Sequence, residues 1–478
     1  MSGVVIQLKT TGTMGTRLLP INVSTPGIKG LNKQQSQLVL DLEWATEADN
    51  LVFGETGKLE PRKGTKNQHS IELNTSPKGM FPYQGGIIFA VGTTIYSLVD
   101  GVLSNITGAA APTDDDWHFE EFNGACIGYQ AGHTPITLLS IGSTFTQATG
   151  TQYQSGVMTV NNGRIWTVYD DVLYSSDLLI NNFTGGSSFL FSLGKYWPQG
   201  GDTAVAIREW NNYLLVFGQR SIIVYANPDD PVNTMVIAEG IKTAGCISRK
   251  TIQEVSNDLL FLSESGIRSL GRTLQDGSIP MGEVSYPVRD LLKGYVSGET
   301  TSDITSVYSQ AEGFYALSFP TTGKTLVVDV KQPYRFTTWS MAFNSACTYP
   351  TGELFLGTGT YVKRYRDYWD DVTYLGAVGS TYDVVFESSW TDFGNEAAPY
   401  VKIPKTMVFQ TSGNDNDTKT YKWAYDFNDT FTELSSSGDR VPMNGSGQAL
   451  KVGLEFTVQG INKVIKRFSV LSKLGRMV

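Results

Sequence analysis

The chain has 478 residues, a formal net charge of −9, 40% apolar and only 17% charged residues. That apolar content excludes a disordered chain, and the acidic balance argues against a surface that grips nucleic acid by neutralising phosphates. It does not exclude a surface that nucleic acid slides past, where repulsion prevents sticking. The 50 Gly, 23 Tyr and 23 Phe fit an all-β protein with many turns. Three widely spaced cysteines, Cys126, Cys246 and Cys347, suit neither a disulfide framework nor a zinc site and are expected as small buried thiols. No apolar run reaches the length of a membrane-spanning helix, and the N-terminus lacks the basic-then-apolar pattern of a secretory signal.

Residues 1–40 are rich in Gly, Thr, Gln and Pro and read as an extended arm that needs a partner surface to become ordered. Removing them is expected to impair assembly while leaving the blades folded. Asp41–Phe53 is compatible with a short helix or a strand, and Glu55–Thr65 with a Gly turn followed by a strand ending in Pro61-Arg62-Lys63-Gly64. From Gly79 onward a unit of short β-type runs and tight turns recurs. Its clearest copy is Gly79–Gly108, and further copies follow at intervals of roughly 30–50 residues, the period of propeller blades. The later units span about Trp117–Gly150, Ser155–Thr184, Thr203–Glu239, Ile247–Tyr286 and Ile304–Met341, with a partial one at Ala346–Tyr368. Alternation within these strands is imperfect, as expected where neighbouring blades cover both faces. The last unit lacks a fourth strand, which a segment within Leu51–Arg62 is expected to supply. Six or seven blades fit the pattern equally well.

After Asp371 the runs lengthen: Thr381–Phe393, Lys402–Gln410, Thr420–Phe427 and Leu450–Val458, separated by polar loops. They resemble a small β-sandwich, closed by a basic segment, Val464–Val478. The expected organisation is an arm with lead-in strands (1–75), a six- or seven-bladed β-propeller (76–371) and a C-terminal β-sandwich-like domain (372–478).

The residues that carry chemistry elsewhere are sparse. His69, His118 and His133 have no metal-ligand spacing, and His118 follows three aspartates in what reads as a solvated loop. The acid pairs Glu120-Glu121 and Asp370-Asp371 read as solvated turns, because adjacent strand residues point to opposite faces. Asn414–Asp417 lacks the ligand pattern of a calcium loop, and Gly357-Thr358-Gly359 lacks that of a phosphate cradle. Tyr361, Tyr365, Tyr368 and Trp369 suit either a sugar platform or, more commonly, core packing. No catalytic, cofactor or metal site is expected.

Gly30-Leu31-Asn32, Ala48-Asp49-Asn50 and Gly57–Gly64, followed by blades, form a phrase that resembles the opening of tail nozzle or hub proteins of short-tailed bacteriophages. Trp390-Thr391-Asp392-Phe393-Gly394 with Lys402, and the basic C-terminus, are similar to the domain that follows the propeller in that family. The resemblance implies a structural virion component and not an enzyme. It implies a homo-hexamer below a head-to-tail adaptor ring, in the virion tail, assembled in the bacterial host cytoplasm. Tail fibres or spikes and a needle or plug would attach to it, and genomic DNA would pass without specific binding. In that setting Arg62, Lys63, Lys466, Arg467, Lys473 and Arg476 are the expected assembly contacts. The competing expectation is a propeller that binds or cleaves carbohydrate.

Overall fold

Strand, tight turn, strand is the repeated local event from Lys78 onward. In the first unit Lys78–Tyr83, Gly86–Val91, Thr94–Val99 and Val102–Asn105 pair antiparallel in sequence order. The turns between first and second strands are Gln84-Gly85, Asn123-Gly124, Asn162-Gly163 and Asn211-Asn212 in the first four units, and both residues of each have positive φ. That backbone matches the twist of a two-residue hairpin and explains the Asn and Gly found there. This computed structural model describes residues 18–477 apart from 111, 113, 199, 243, 272–281, 332, 394–399 and 413–417, with backbone only for Leu18, Leu19, Arg476 and Met477.

Seven such sheets form the propeller. The second begins at His118, the third at Met158, the fourth at Ala204, the fifth at Gln253, the sixth at Thr305 and the seventh at Ser345. The fifth has three strands among the described residues. Second strands such as Gly86–Val91 and Phe314–Phe319 are buried at every position. They lie between neighbours on both sides, which is why their sequences run apolar rather than alternating. Seven apolar clusters each join consecutive blades. The last of them packs Phe89 and Leu98 of blade one against Phe355 and Val362 of blade seven, so the ring closes at seven.

The closing strand is Thr65–Asn67, which pairs with Tyr361–Tyr365, and not a segment of Leu51–Arg62. Leu51–Phe53 and Leu59–Pro61 instead pair with each other. The reason is burial: Leu51 and Leu59 enter the core of the C-terminal domain, and the Leu51 carbonyl accepts from Trp339 Nε1. They are therefore committed to the sandwich and not to blade seven.

The C-terminal domain is a two-sheet sandwich. One sheet orders Leu18–Val23, Ile465–Met477, Tyr400–Thr411 and Arg440–Pro442. The other orders Trp44–Asp49, Tyr382–Ser388, Leu450–Val458, Lys419–Tyr425 and Thr432–Ser436. Ile21, Val23, Phe386, Phe409, Leu454 and Phe468 meet between them. The expected 1–75 lead-in is therefore distributed over both domains. The described part of the arm finds its partner surface on its own chain, because its strands cannot bury a face alone. Removing residues 1–40 would take Ile21 and Val23 from the sandwich core and Leu31 from the core of blades five and six.

Trp44–Asp49 also pairs with the outer strand of blade six, Arg335–Trp339, so one sheet runs from blade six into the sandwich. A nine-residue helix, α1 (Arg289–Ser297), precedes blade six. Leu292, Tyr295 and Val296 pack it onto the core of blades five and six, spaced three and four apart as a helix face requires. Among the described residues no helix is long and apolar enough to cross a membrane.

Candidate functional site

First strands of neighbouring blades lie against one another around the propeller axis. Their side chains surround a cavity of about 390 Å³. The walls come from blades one, two, four, five, six and seven and include Phe81, Trp117, His118, Glu120, Arg208, Glu209, Arg249, Lys250 and Glu254.

An ion-pair cluster joins lining residues of this cavity to the linker before blade two. Asp116, in the linker before blade two, meets Arg249 Nη2 at 3.0 Å and Lys250 Nζ at 2.7 Å. Blades two and five stand on opposite sides of a seven-membered ring, so this contact reaches over the axis. Lys250 Nζ also donates to the Ser302 carbonyl at 2.9 Å, and Lys78 lies 3.1 Å from Asp115 and 3.9 Å from Asp303. Burial alone would raise the Asp116 carboxyl, but Arg249 and Lys250 outweigh it and hold the group below the ordinary range. Burial alone would lower Lys78, and Asp115 with its neighbours reverses that.

Deeper in, Glu120 ties three blades together. Its Oε1 accepts from His118 Nε2 at 3.0 Å, lies 3.1 Å from the Tyr129 hydroxyl and faces Arg208 of blade four at 3.6 Å. Its Oε2 accepts from Val160 N at 2.6 Å and Thr159 Oγ1 at 3.3 Å, both on blade three. Burial would raise this carboxyl, but the His118 hydrogen bond, Arg208 and the Val160 amide keep it below its usual value. Burial lowers His118, so the imidazole stays neutral at pH 7 and donates from Nε2. The expected solvated loop at His118 and solvated turn at Glu120 are thus corrected: both belong to a strand whose inward face points at the axis. Glu120 is an ionised, fully engaged carboxylate, suited to holding blades in register and not to donating a proton.

Among the described residues, the buried donors Trp117 Nε1 and Arg249 Nε have no hydrogen-bond partner. Sequence reasoning missed the cavity because its members come from six separate blades. The available signal was the run of charged residues on blade-opening strands.

The expected assembly contacts do not converge. Arg62 is buried, with its Nε on Asn50 Oδ1 at 2.9 Å, its Nη1 on Asp370 Oδ1 at 2.9 Å and its guanidinium 4.1 Å from the Tyr382 ring centroid. As an outward contact it is therefore corrected: its charge is consumed inside the joint between propeller and sandwich. Asp370 is likewise not a solvated turn, since it pairs with buried Arg62, whereas Asp371 is a solvated turn residue, 62% exposed, that pairs with Lys363. Lys63 pairs with Glu312 at 2.5 Å. Lys466 and Arg467 are exposed, and Arg467 Nε donates to Gln410 at 2.8 Å. Lys473 is half-buried, and the Arg476 side chain and Asn414–Asp417 lie outside the described residues.

His69 is buried, with Nδ1 on the Ile71 carbonyl at 2.7 Å and Nε2 accepting from Val362 N at 3.0 Å. Tyr365 stacks on Trp339 as core. The three cysteines are buried and free, and burial pushes the Cys246 thiol up to about 11. Among the described residues no three His, Cys, Asp or Glu side chains converge to hold a metal.

No protein-family model and no curated protein matches this chain. Among solved structures, it is similar to the computationally designed Ika8 protein at 10% identity and a TM-score of 0.39, over 63% of this chain and 99% of that one. YCF48 bound to a D1 peptide matches at 11% identity and 0.38, over 62% and 95%. The extracellular domain of a putative one-component system, BT4673 from B. thetaiotaomicron, matches at 11% and 0.41, over 83% of this chain and 57% of that one. Likeness at this level adds nothing to what the strand pairing already establishes: an all-β propeller with an attached sandwich.

Proposed function

We propose that this protein is a structural tail component, a nozzle or hub of a short-tailed bacteriophage. In this reading it forms a hexamer below the portal and adaptor rings, its copies line the DNA exit channel, and fibres, spikes or a needle dock on it. It works as a rigid wall and not as an enzyme.

One observation carries the reading: residues that resemble the family's opening phrase, Asn50, Leu59 and Arg62 among them, fall at the joint between propeller and sandwich, and Leu31 beside it anchors the arm to blades five and six. Gly30 has φ +87, and a Cβ there would stand 2.7 Å from Phe336 N, so only glycine fits. A Cβ on Gly64 would stand 1.9 Å from the Trp369 carbonyl oxygen. Asn50 Oδ1 accepts from Arg62 and from Ser340 N at 3.1 Å, while its Nδ2 donates to Asp383 O at 2.7 Å. A phrase devoted to fixing two domains in one orientation suits a part that bears load in a ring. The axis of each propeller is bridged by ion pairs, so DNA would run through the ring of copies and not through a single propeller.

Native mass spectrometry of the full chain tests this. Six copies, alone or on addition of an adaptor ring, support the nozzle. A monomer that never assembles and cleaves a polysaccharide overturns it.

A further inference from the structure

We propose that one end of the propeller, over blades one to four, docks the outer sheet of the sandwich of a second copy of this chain. This contact deepens the assembly reading and rests on its self-association. Blades one to four are antiparallel meanders, so in each the turn after the first strand and the connection after the third lie at the same end. That connection, or the residue just beyond it, exposes large apolar side chains in all four blades: Val102, Leu139, the run Leu178-Leu179-Ile180, and Val232, each at least half exposed. Neighbouring blades join these positions into one surface. Gln84 Nε2, in the turn of blade one, donates to the Leu139 carbonyl of blade two at 3.3 Å, and Asn123 Nδ2 of blade two donates to the Leu179 carbonyl of blade three at 3.4 Å. Asp230 of blade four lies close enough to Arg164, beside the turn of blade three, to act on its charge. A soluble surface avoids three consecutive exposed apolar residues unless they are covered in use.

Charge around this surface has one sign. Asp100, Glu121, Glu209 and Asp229 are exposed at this end. The exposed cations of residues 78–245, Lys195, Arg220 and Lys242, follow second or fourth strands and so stand at the opposite end. Such a surface repels phosphate and suits an apolar partner that carries basic charge. The chain presents that partner itself. The four strands of the outer sandwich sheet, Leu18–Val23, Ile465–Met477, Tyr400–Thr411 and Arg440–Pro442, contain no Asp or Glu. Their register sets Arg440 opposite Val408 and Arg467 opposite Gln410, and Leu471 and Lys473 continue the row of Arg467. This is the face turned from the core: Arg440 and Arg467 are exposed and Val408, Leu471 and Lys473 half-buried, while Met407, Phe409, Phe468 and Val470 fill the interior. The sandwich joins the propeller at blade six, which in a ring of seven stands across from blades two and three. The two surfaces of one copy therefore meet different neighbours, and head-to-tail contact of this kind generates a ring or a filament.

Native mass spectrometry and sedimentation of the full chain test the contact. Leu178→Asp with Leu179→Asp damages the propeller surface, and Arg440→Glu with Arg467→Glu reverses the sheet. Each pair of changes is expected to weaken self-association about tenfold or more. Mixed together, the two variants are expected to form a species of two copies and no larger, because each keeps one intact surface. That pairing also shows both to be folded; should either variant unfold, Val232→Asp and Lys473→Glu carry the same test singly. Hexamers that persist in both variants overturn this contact and leave the nozzle standing. Wild-type assemblies of another number, lost in both variants, keep the contact and overturn the nozzle. The contact is also overturned by a wild-type chain that stays monomeric at its highest soluble concentration, by folded variants that fail to pair, or by a charge reversal that changes only the binding of a duplex DNA oligonucleotide.

Discussion

Two regions of this molecule use the same chemistry, an arginine facing an aspartate, to different ends. At the joint, the Arg62 side chain is 2% exposed and satisfies Asn50, Asp370 and its neighbour's carbonyl, with Tyr382 stacked over it. At the axis, the Asp116 side chain is 39% exposed and meets Arg249 and Lys250, 18% and 17% exposed. A charge removed from water must be fully compensated, and losing one partner leaves the other stranded. A charge that still touches water contributes little when paired and costs little when freed. The joint is therefore where this chain fixes its shape, and the axial bridge is where its shape is only trimmed.

That contrast can be broken by substitution. Arg62→Ala strands Asp370 beside the domain boundary and is expected to cost about 3–5 kcal/mol in chemical denaturation, with propeller and sandwich signals lost together. Trp339→Ala opens a cavity where blade six, blade seven and Leu51 meet; it should cost about 3–4 kcal/mol, and a loss below about 1 kcal/mol would show that this seam does not hold the ring. Asp116→Asn is expected to cost no more than about 1 kcal/mol, and less in high salt. A loss as large as that of Arg62→Ala would erase the distinction between the two regions.

Acid sharpens the comparison. Burial depresses His118 and also His69, so as pH falls the unfolded chain takes up these protons first. Their contribution is whole above the ordinary histidine pKa of about 6.5 and declines as pH drops through the folded values. Glu120 and Asp116 are depressed as well, and their contribution persists until pH falls below the ordinary carboxyl range. Urea midpoints should therefore decline between pH 7 and 5 and again below about pH 4. His118→Gln should shrink the first decline, and Asp116→Asn the second. The smallest expected effect is at the exposed basic pair: Lys466→Ala with Arg467→Ala should move stability by no more than about 0.5 kcal/mol. A loss of the proposed hexamer in that double variant would then report assembly and not folding.

Much of this architecture is legible in local residues. Asn123-Gly124 and Asn162-Gly163 announce hairpins because few other residues adopt two successive positive φ angles. The run Tyr213–Gly218 announces a strand covered on both faces. The helix Arg289–Ser297 was present in the spacing of its apolar residues but is short and isolated among strands. His118 and Glu120 were misread because a charged pair beside three aspartates resembles a solvent loop until neighbouring blades enclose it.

The sequence by itself determined the class of the fold, the strands and most turns, since these depend on residues within hairpin distance of one another. It also determined that a second β domain follows the blades. Only the tertiary structure decided that Thr65–Asn67 closes a ring of seven and that Leu18–Val23 joins a sheet with residues beyond 460. It alone decided that Arg62 is buried and that the axis holds a cavity. A strand's period of two states which face it buries but not which edge it meets, and partners some 300 to 450 residues apart leave no mark on each other's local pattern.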